Sequence, residues 1–189
     1  LFIDELDFRS MGKGVMQVLS RAGALAEGAE WLTSREIGQL PGFVSTRQES
    51  LPNALRIEDL LSHVSSATPA VLEKIKKSDC AQYWVDGESL MTGETLKVPI
   101  EYVRRIGGPN GVAAGNRIEE AIVHGVYEVF ERRSHITVLK QKLVMPSIDP
   151  DSIDHPVIKA QLDFVRNQGI EVYLKDLSFG GELPCVGAY

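Results

Sequence analysis

The sequence has few cysteines and no long apolar or basic run, and each of these absences excludes a class of protein. Only two of its 189 residues are cysteines, Cys80 and Cys185, and without a CxxC motif or a nearby His at ligand spacing they indicate neither a zinc site nor a redox site. No apolar run approaches the roughly 18 residues of a membrane-spanning helix. The net charge of -6 and the lack of a long basic run argue against nucleic acid as a partner, and the lack of a long apolar run argues against a membrane.

Two further absences concern the chain ends and the best-known phosphate motif. The start, LFIDELDFRS, has neither Met nor a signal-peptide pattern, and the end, LPCVGAY, lacks a polar tail, so we expect both ends to be cuts through a larger protein. The two isolated cysteines are consistent with a reducing cytoplasm. Neither glycine-rich stretch fits GxxxxGK[ST], which excludes a P-loop.

With 43% hydrophobic and 24% charged residues, the chain has the composition of a globular protein. Its predicted helices and strands alternate, which indicates a mixed α/β fold. Periodicity predicts helices over 15–32, 56–63, 69–77, 117–140 and 157–168, the last with Asp154 or a neighbour as N-cap and Gly169 beyond its end. Strands are expected over 1–8, in a hairpin spanning 81–103, and over 170–178 and 184–189. In the hairpin, Tyr83 and Trp84 are expected to serve packing.

Two glycine-rich turns each open a helix that carries a Glu-x-x-Glu pair. A shift of 101 residues superimposes Gly14 on Gly115, Glu27 on Glu128 and Glu30 on Glu131. Few other positions are identical, so chance is one explanation. The alternative is a pseudo-repeat of two units, about 8–35 and 108–140, each of which brings a carboxylate pair to a shared place.

The acidic stripe of the second helix has two explanations. On a helical wheel Glu120, His124, Glu128 and Glu131 span about 80°, opposite an apolar side, as on any solvated helix face. Against this, the first helix, around AGALAEGAEWL, is too apolar for a surface helix, so its two carboxylates should be partly enclosed and need a cation. Mg2+ prefers such oxygens and bridges them to phosphates. We expect His124 to be a neighbour of the stripe rather than a catalytic base.

Three stretches between Phe8 and Tyr189 resemble the YcaO family in the order expected of it. They are SMGKG…ALAEGAEWL, PNGVAAGNRIEEAIVHGVYEVFERR and NQGIEVYLKDLSFGGELPCVGAY. Family members carry a GKG-type turn before a helix with E-x-x-E-R, and an N-G-x-A-x-G-N-[TS]-x-x-E-A stretch before a second E-x-x-E-R. The resemblance implies a partial YcaO domain over 1–189, truncated at both ends, in which two Gly-turn–helix units pack on a mixed β-sheet.

The resemblance also implies a function. YcaO enzymes use ATP and Mg2+ to phosphorylate a peptide backbone amide after a nucleophile has added to its carbon, which gives an azoline, a thioamide or an amidine. The nucleophile comes from the substrate or a partner, so no catalytic side chain is expected in this chain. The implied partners are a peptide or protein substrate, a TfuA-like accessory protein and a second copy of the chain.

Site residues carry over from the family motifs position by position. The resemblance assigns metal binding to Glu27, Glu30, Glu120, Glu128 and Glu131. It assigns nucleotide binding to Lys13, Asn116, Glu120 and Arg132, with Arg132 on the phosphates.

Two positions depart from the family pattern. Trp31 stands where the first motif has Arg, and Arg117 stands where the second has Thr or Ser. Trp31 and the truncation favour an alternative, a non-catalytic nucleotide-binding or scaffold member, and this part of the domain could be inactive alone. A third reading is an acidic globular domain whose repeat is coincidence.

Overall fold

The computed structural model describes residues 2–3, 8–62, 64, 67–78, 80–181 and 183–189. Helices and short antiparallel strands alternate along these ranges, which confirms the predicted mixed α/β class. The chain forms two compact units, Leu1–Ile122 and Val123–Tyr189. No helix within the described ranges is long and apolar enough to cross a membrane.

The first unit begins with a short strand pair and a long helix. Its elements are β1 (Phe2–Ile3), β2 (Phe8–Arg9), α1 (Gln17–Arg35), β3 (Val44–Thr46), α2 (Ile57–Ser62), α3 (Pro69–Lys76), β4 (Gln82–Glu88), β5 (Thr95–Pro99), α4 (Ile100–Gly107) and the start of α5 (Ile118–Gln141). β1 pairs antiparallel with β2. The predicted strand over 1–8 includes residues 1 and 4–7, which lie outside the described residues.

A three-stranded antiparallel sheet in the order β3-β4-β5 carries the core of the first unit. Trp84 on its central strand is fully buried, and its indole N–H donates to the carbonyl of Thr46 at 3.0 Å. The neighbouring Tyr83 points to the other face of the strand, is 43% exposed and contacts the ring of Phe43. This confirms the predicted packing role of Trp84, whereas the packing role of Tyr83 stays a prediction.

The structure differs from the secondary structure predicted from the sequence at two places in this unit. The second arm of the predicted hairpin ends at Pro99, and residues 100–107 form helix α4 instead of continuing the strand. Ile100, Tyr102 and Val103 are common in strands, but β-propensity reflects packing context more than backbone preference. Residues 44–46, which lie outside the predicted helices and strands, form the edge strand β3, which is too short for its alternation to be recognised in the sequence.

The second unit contains the remainder of α5 and a second small sheet. Its other elements are β6 (Ser147–Ile148), α6 (Pro156–Asn167), β7 (Leu174–Asp176) and β8 (Val186–Ala188), with the strands antiparallel in the order β6-β7-β8. Leu177, just after β7, is 2% exposed. The N-cap of α6 is His155, one residue after the expected Asp154, and Gly169 beyond its end has a φ of 76° as predicted for such a glycine.

Candidate functional site

The first glycine-rich turn, residues 10–14, lies directly against α1. The hydroxyl of Ser10 donates to the carbonyl of Ala24 at 2.6 Å, and Ser10 is 4% exposed. A Cβ on Gly12 would lie 1.7 Å from the carbonyl oxygen of Ser20. Gly23 faces the turn, with its own Cβ position 3.4 Å from the Cα of Gly12. The small residues of the first motif therefore allow a backbone to pack onto the helix.

Glu27 joins this turn to α1 through its carboxylate. The backbone N–H of Met11 donates to Oε2 of Glu27 at 2.8 Å. Glu27 is half-buried, whereas Lys13 in the same turn is exposed. A carboxylate that accepts from a backbone N–H forms a charge-assisted hydrogen bond, which is stronger than a neutral one.

Glu30 holds the second glycine-rich segment, residues 107–116, in the same way. The N–H of Ala114 donates to Oε1 of Glu30 at 2.6 Å, across 84 residues of sequence. Glu30 is half-buried, so the expectation that the carboxylates of α1 are partly enclosed is confirmed. Residues three apart on a helix lie on the same side, so Glu27 and Glu30 reach both turns from one face of α1.

Asn116 and Glu120 form a cap at the start of α5. Both the backbone N–H and Nδ2 of Asn116 donate to Oε2 of Glu120, at 2.9 Å and 3.3 Å. Glu120 is in the first turn of α5, where a carboxylate also interacts favourably with the helix dipole. The two residues assigned to the second motif are therefore in contact.

The glycines that open the two helices share one local geometry. A Cβ on Gly14 would lie 2.7 Å from the Cβ of Leu19 and 2.8 Å from the N of Ser20. A Cβ on Gly115 would lie 2.7 Å from the Cβ of Glu120 and 2.6 Å from the N of Ala121. The likeness of the turns is what a pseudo-repeat predicts, and the repeat as a whole stays a prediction.

In the second unit, the remaining predicted residues lie along α5. Arg132 pairs with Glu128, one helical turn earlier, with 3.6 Å between Nη2 and Oε1. Glu131 lines a pocket of about 400 Å³ together with Tyr127, Phe130 and Ser134 of the same helix and residues 183–186. His124 is exposed.

The arrangement can be tested against the chemistry of Mg2+ and a polyphosphate. Within the ranges that the structure describes, no group of three or more His, Cys, Asp or Glu side chains is placed to hold a metal ion. Mg2+ does not need such a group, because it is commonly held by one or two carboxylates and substrate phosphates. The half-buried carboxylates of Glu27 and Glu30 fit that chemistry, whereas Gly12 and Gly14 serve to pack the first turn against α1.

Trp31, which departs from the family motif, has a cationic neighbour one helical turn later. The guanidinium carbon of Arg35 lies 5.4 Å from the centroid of the Trp31 ring, within the range of a cation–π contact. Trp31 is 37% exposed. A guanidinium is therefore present beside this position although the motif residue itself is not Arg.

The groups that donate hydrogen bonds to the carboxylates of α1 were not identified from the sequence. The donors are the backbone amides of Met11 and Ala114, and a backbone donor has no residue type by which it could be recognised. Ser10, whose hydroxyl donates to the backbone carbonyl of Ala24, was also missed; a hydroxyl residue directly before a glycine turn is a signal that could have indicated this anchor.

Comparison with protein families gives a match over residues 11–189, to a family described as YcaO cyclodehydratase, ATP- and Mg2+-binding. This description confirms ATP and Mg2+ as the cofactors expected of the family.

Three curated relatives are similar to the chain. An uncharacterized protein of Methanothermobacter thermautotrophicus is 27% identical over 94% of this chain and 46% of its own length. The ribosomal protein S12 methylthiotransferase accessory factor YcaO of Escherichia coli is 28% identical over 49% of this chain and 16% of its own length. An uncharacterized protein in the tfuA 3′ region of Rhizobium leguminosarum bv. trifolii is 31% identical over 53% and 27%. The chain spans less than half the length of these relatives.

Two solved structures share the fold. A heterocyclase in complex with substrate and cofactor has a TM-score of 0.67 at 24% identity and covers 88% of this chain and 26% of that one. The YcaO from Methanopyrus kandleri bound with AMPPCP and Mg2+ has a TM-score of 0.59 at 21% identity, over 87% and 40%. At these identities the likeness is one of fold. With nearly its whole length matched by the family description, the chain belongs to the YcaO family.

Proposed function

We propose that the protein of which this chain is part activates a peptide backbone amide in a reaction that needs ATP and Mg2+. The observation that carries the proposal is the pair of glycine-rich turns that Glu27 and Glu30 hold against one face of α1. Family membership and the nucleotide-bound relative of the same fold support it.

In the first unit, the proposed ligands of the metal are Glu27, Glu30 and Glu120, and those of the nucleotide are Lys13, Asn116 and Glu120. Half-buried Glu27 and Glu30 and exposed Glu120 offer oxygen ligands, and exposed Lys13 offers a positive charge for the phosphates. When bound, Mg2+ offsets charge on the phosphates.

In the second unit, Glu128 and Glu131 are proposed as metal ligands and Arg132 as a phosphate contact. Arg132 lies 3.6 Å from Glu128, so the proposed phosphate contact and one proposed metal ligand are neighbours on α5. With both groups partly exposed, the pair contributes little to stability.

The proposed reaction has two steps, a phosphoryl transfer to the amide oxygen and a loss of phosphate. A nucleophile adds to the amide carbon, the former carbonyl oxygen takes the γ-phosphoryl group, and ADP leaves. Phosphate then departs with that oxygen. A neighbouring Cys, Ser or Thr of the substrate as nucleophile gives an azoline, and sulfide gives a thioamide. Both outcomes belong to the proposal, as does a role in making modified ribosomal peptides.

The proposed partners follow from the same relatives. The substrate is a peptide or protein, in line with the substrate-bound heterocyclase of the same fold. A TfuA-like accessory protein is supported by the relative named for a tfuA region. A homodimer and a cytoplasmic location complete the proposal, and the two free cysteines are consistent with a reducing compartment.

A second candidate function is a non-catalytic member that binds nucleotide and serves as a scaffold for a modifying enzyme. Trp31 in place of the motif Arg favours it. The neighbouring guanidinium of Arg35 weighs against it, because a cation remains beside this position.

Nucleotide binding to the full-length protein tests the proposed site. Binding of ATP should require Mg2+ and weaken about tenfold or more in Glu128→Gln and in Glu131→Gln, since each change removes one negative oxygen ligand. Glu119→Gln is the matched control, because Glu119 is exposed on the same helix and has no proposed role. Unchanged binding in both variants would refute the metal assignment.

Turnover separates the enzyme from the scaffold. The full-length protein should hydrolyse ATP faster when a candidate peptide and sulfide are added, and mass spectrometry should show the peptide losing water or exchanging oxygen for sulfur. Nucleotide binding without any turnover or peptide change would favour the scaffold.

A further inference from the structure

The two glycine-rich turns have few buried side chains that could hold them in one position. Residues 11, 13 and 14 of the first turn are exposed, as are residues 108–112 of the second segment. Glycine loses more conformational freedom on ordering than any other residue. Besides the side-chain hydrogen bonds of Ser10 and Asn110, an ordered position for these turns therefore depends on bonds made by their backbone.

Two of those bonds end on neighbouring carboxylates of α1. Met11 N–H donates to Glu27 and Ala114 N–H donates to Glu30, at 2.8 Å and 2.6 Å. In the described part of the chain, the second oxygen of each carboxylate accepts no hydrogen bond. One oxygen of each side chain is thus engaged with a turn while the other remains available.

We infer that Glu27 and Glu30 are positioning residues that fix the two turns side by side, in addition to any contact they make with a cation. The inference rests on the proposed function for its purpose, since fixed turns would present Lys13 and Asn116 to one nucleotide. These two hydrogen bonds, here called tethers, link the first glycine-rich turn to the second glycine-rich segment through α1. A carboxylate that rotates to bind a ligand with both oxygens loses its hydrogen bond and releases the segment it held.

Glutamine separates positioning from charge at Glu30. Its amide oxygen can accept from the N–H of Ala114 as the carboxylate does, but its amide nitrogen cannot bind a cation. Alanine removes both functions. Glu30→Gln should therefore keep the turn in place, whereas Glu30→Ala should release it.

Amide hydrogen exchange of Ala114, measured by NMR on the chain without ligand, reads the tether directly. In Glu30→Ala the exchange should accelerate about tenfold or more, and in Glu30→Gln it should stay within about threefold of the wild type. The amide of buried Val85 reports global stability, and Glu119→Ala is the matched control on an exposed carboxylate. Unchanged exchange of Ala114 in Glu30→Ala would overturn the inference, as would equal acceleration of Ala114 and Val85 or equal acceleration in both Glu30 variants.

The affinity of the full-length protein for Mg-ATP tests whether the position of the turn matters for nucleotide binding. We expect Glu30→Ala to bind at least about tenfold more weakly than Glu30→Gln, because only the alanine variant also loses the turn. Equal affinities, with Ala114 still protected in the glutamine variant, would show that the position of the turn does not serve the nucleotide. A wild-type protein that binds no Mg-ATP would sink the proposed function, while the exchange measurement would still decide the tether.

Discussion

The close packing of the first glycine turn predicts that Gly12→Ala destabilises the protein. An added Cβ would lie 1.7 Å from the carbonyl oxygen of Ser20 and 2.4 Å from the N of Ala24, and both are backbone atoms of α1 that cannot rotate away. The turn must therefore move away from the helix by about 1 Å or more to restore a normal contact.

The magnitude follows from the two bonds that such a shift breaks. The neutral bond from Ser10 to Ala24 contributes about 1 kcal/mol, and the charge-assisted bond from Met11 to Glu27 about 1.5–3 kcal/mol. Alanine also restricts the unfolded chain, which offsets about 0.4–1 kcal/mol. The net expectation is a loss of about 2–3 kcal/mol in the free energy of unfolding.

Urea unfolding followed by tryptophan fluorescence measures this loss. The denaturation midpoint should fall by about 1 M or more, given the usual dependence of stability on urea for a chain of this size. Gly38→Ala is the matched control, because the Cβ position of Gly38 has no atom within 4 Å. That variant should be as stable as the wild type or about 0.4–1 kcal/mol more stable. A Gly12→Ala protein that unfolds at or above the midpoint of Gly38→Ala would refute the reasoning.

Three further predictions concern packing, charge and backbone conformation elsewhere in the chain. Trp84→Ala should cost about 3–5 kcal/mol in urea unfolding, and Tyr83→Ala clearly less, because only Trp84 is fully buried. Burial opposes ionisation of Glu58, but hydrogen bonds from its own amide, Gln48 and Arg56 outweigh it and lower the pKa of this carboxyl. Its contribution to stability should be complete above the ordinary pKa of Glu and be lost as the pH falls through the lowered value, a dependence that Glu58→Gln should remove from urea midpoints. Gly169→Ala should lower the stability by about 1 kcal/mol in thermal unfolding, since φ there is 76°; an unchanged melting temperature would contradict this.

The two long helices could be predicted because their sequences favour helix locally and over many residues. The expected helix at 15–32 is Gln17–Arg35, and that at 117–140 is Ile118–Gln141. Residues 100–107 were misassigned because a run of Ile, Tyr and Val looks alike in a strand and in an amphipathic helix until its neighbours are known. Gly108, with a φ of 61°, ends that helix.

The sequence indicated the placement of Glu27 and Glu30 but not the groups that they contact. The helical spacing of Glu27 and Glu30 indicated one shared face, and the apolar sequence around them indicated partial enclosure. Their bonds to Met11 and Ala114 join residues 16 and 84 positions apart through backbone donors. Long-range contacts of this kind depend on the tertiary fold, which local patterns do not encode.

The backbone origin of the two donors has a consequence for the divergence of related chains. Every residue except proline supplies an amide N–H, so positions 11 and 114 are free to change side chain without loss of the bond. Only the acid of each pair is constrained in type. We therefore expect no correlated substitution between the partners among relatives, and proline to be excluded at both positions even where nearly every other residue is tolerated.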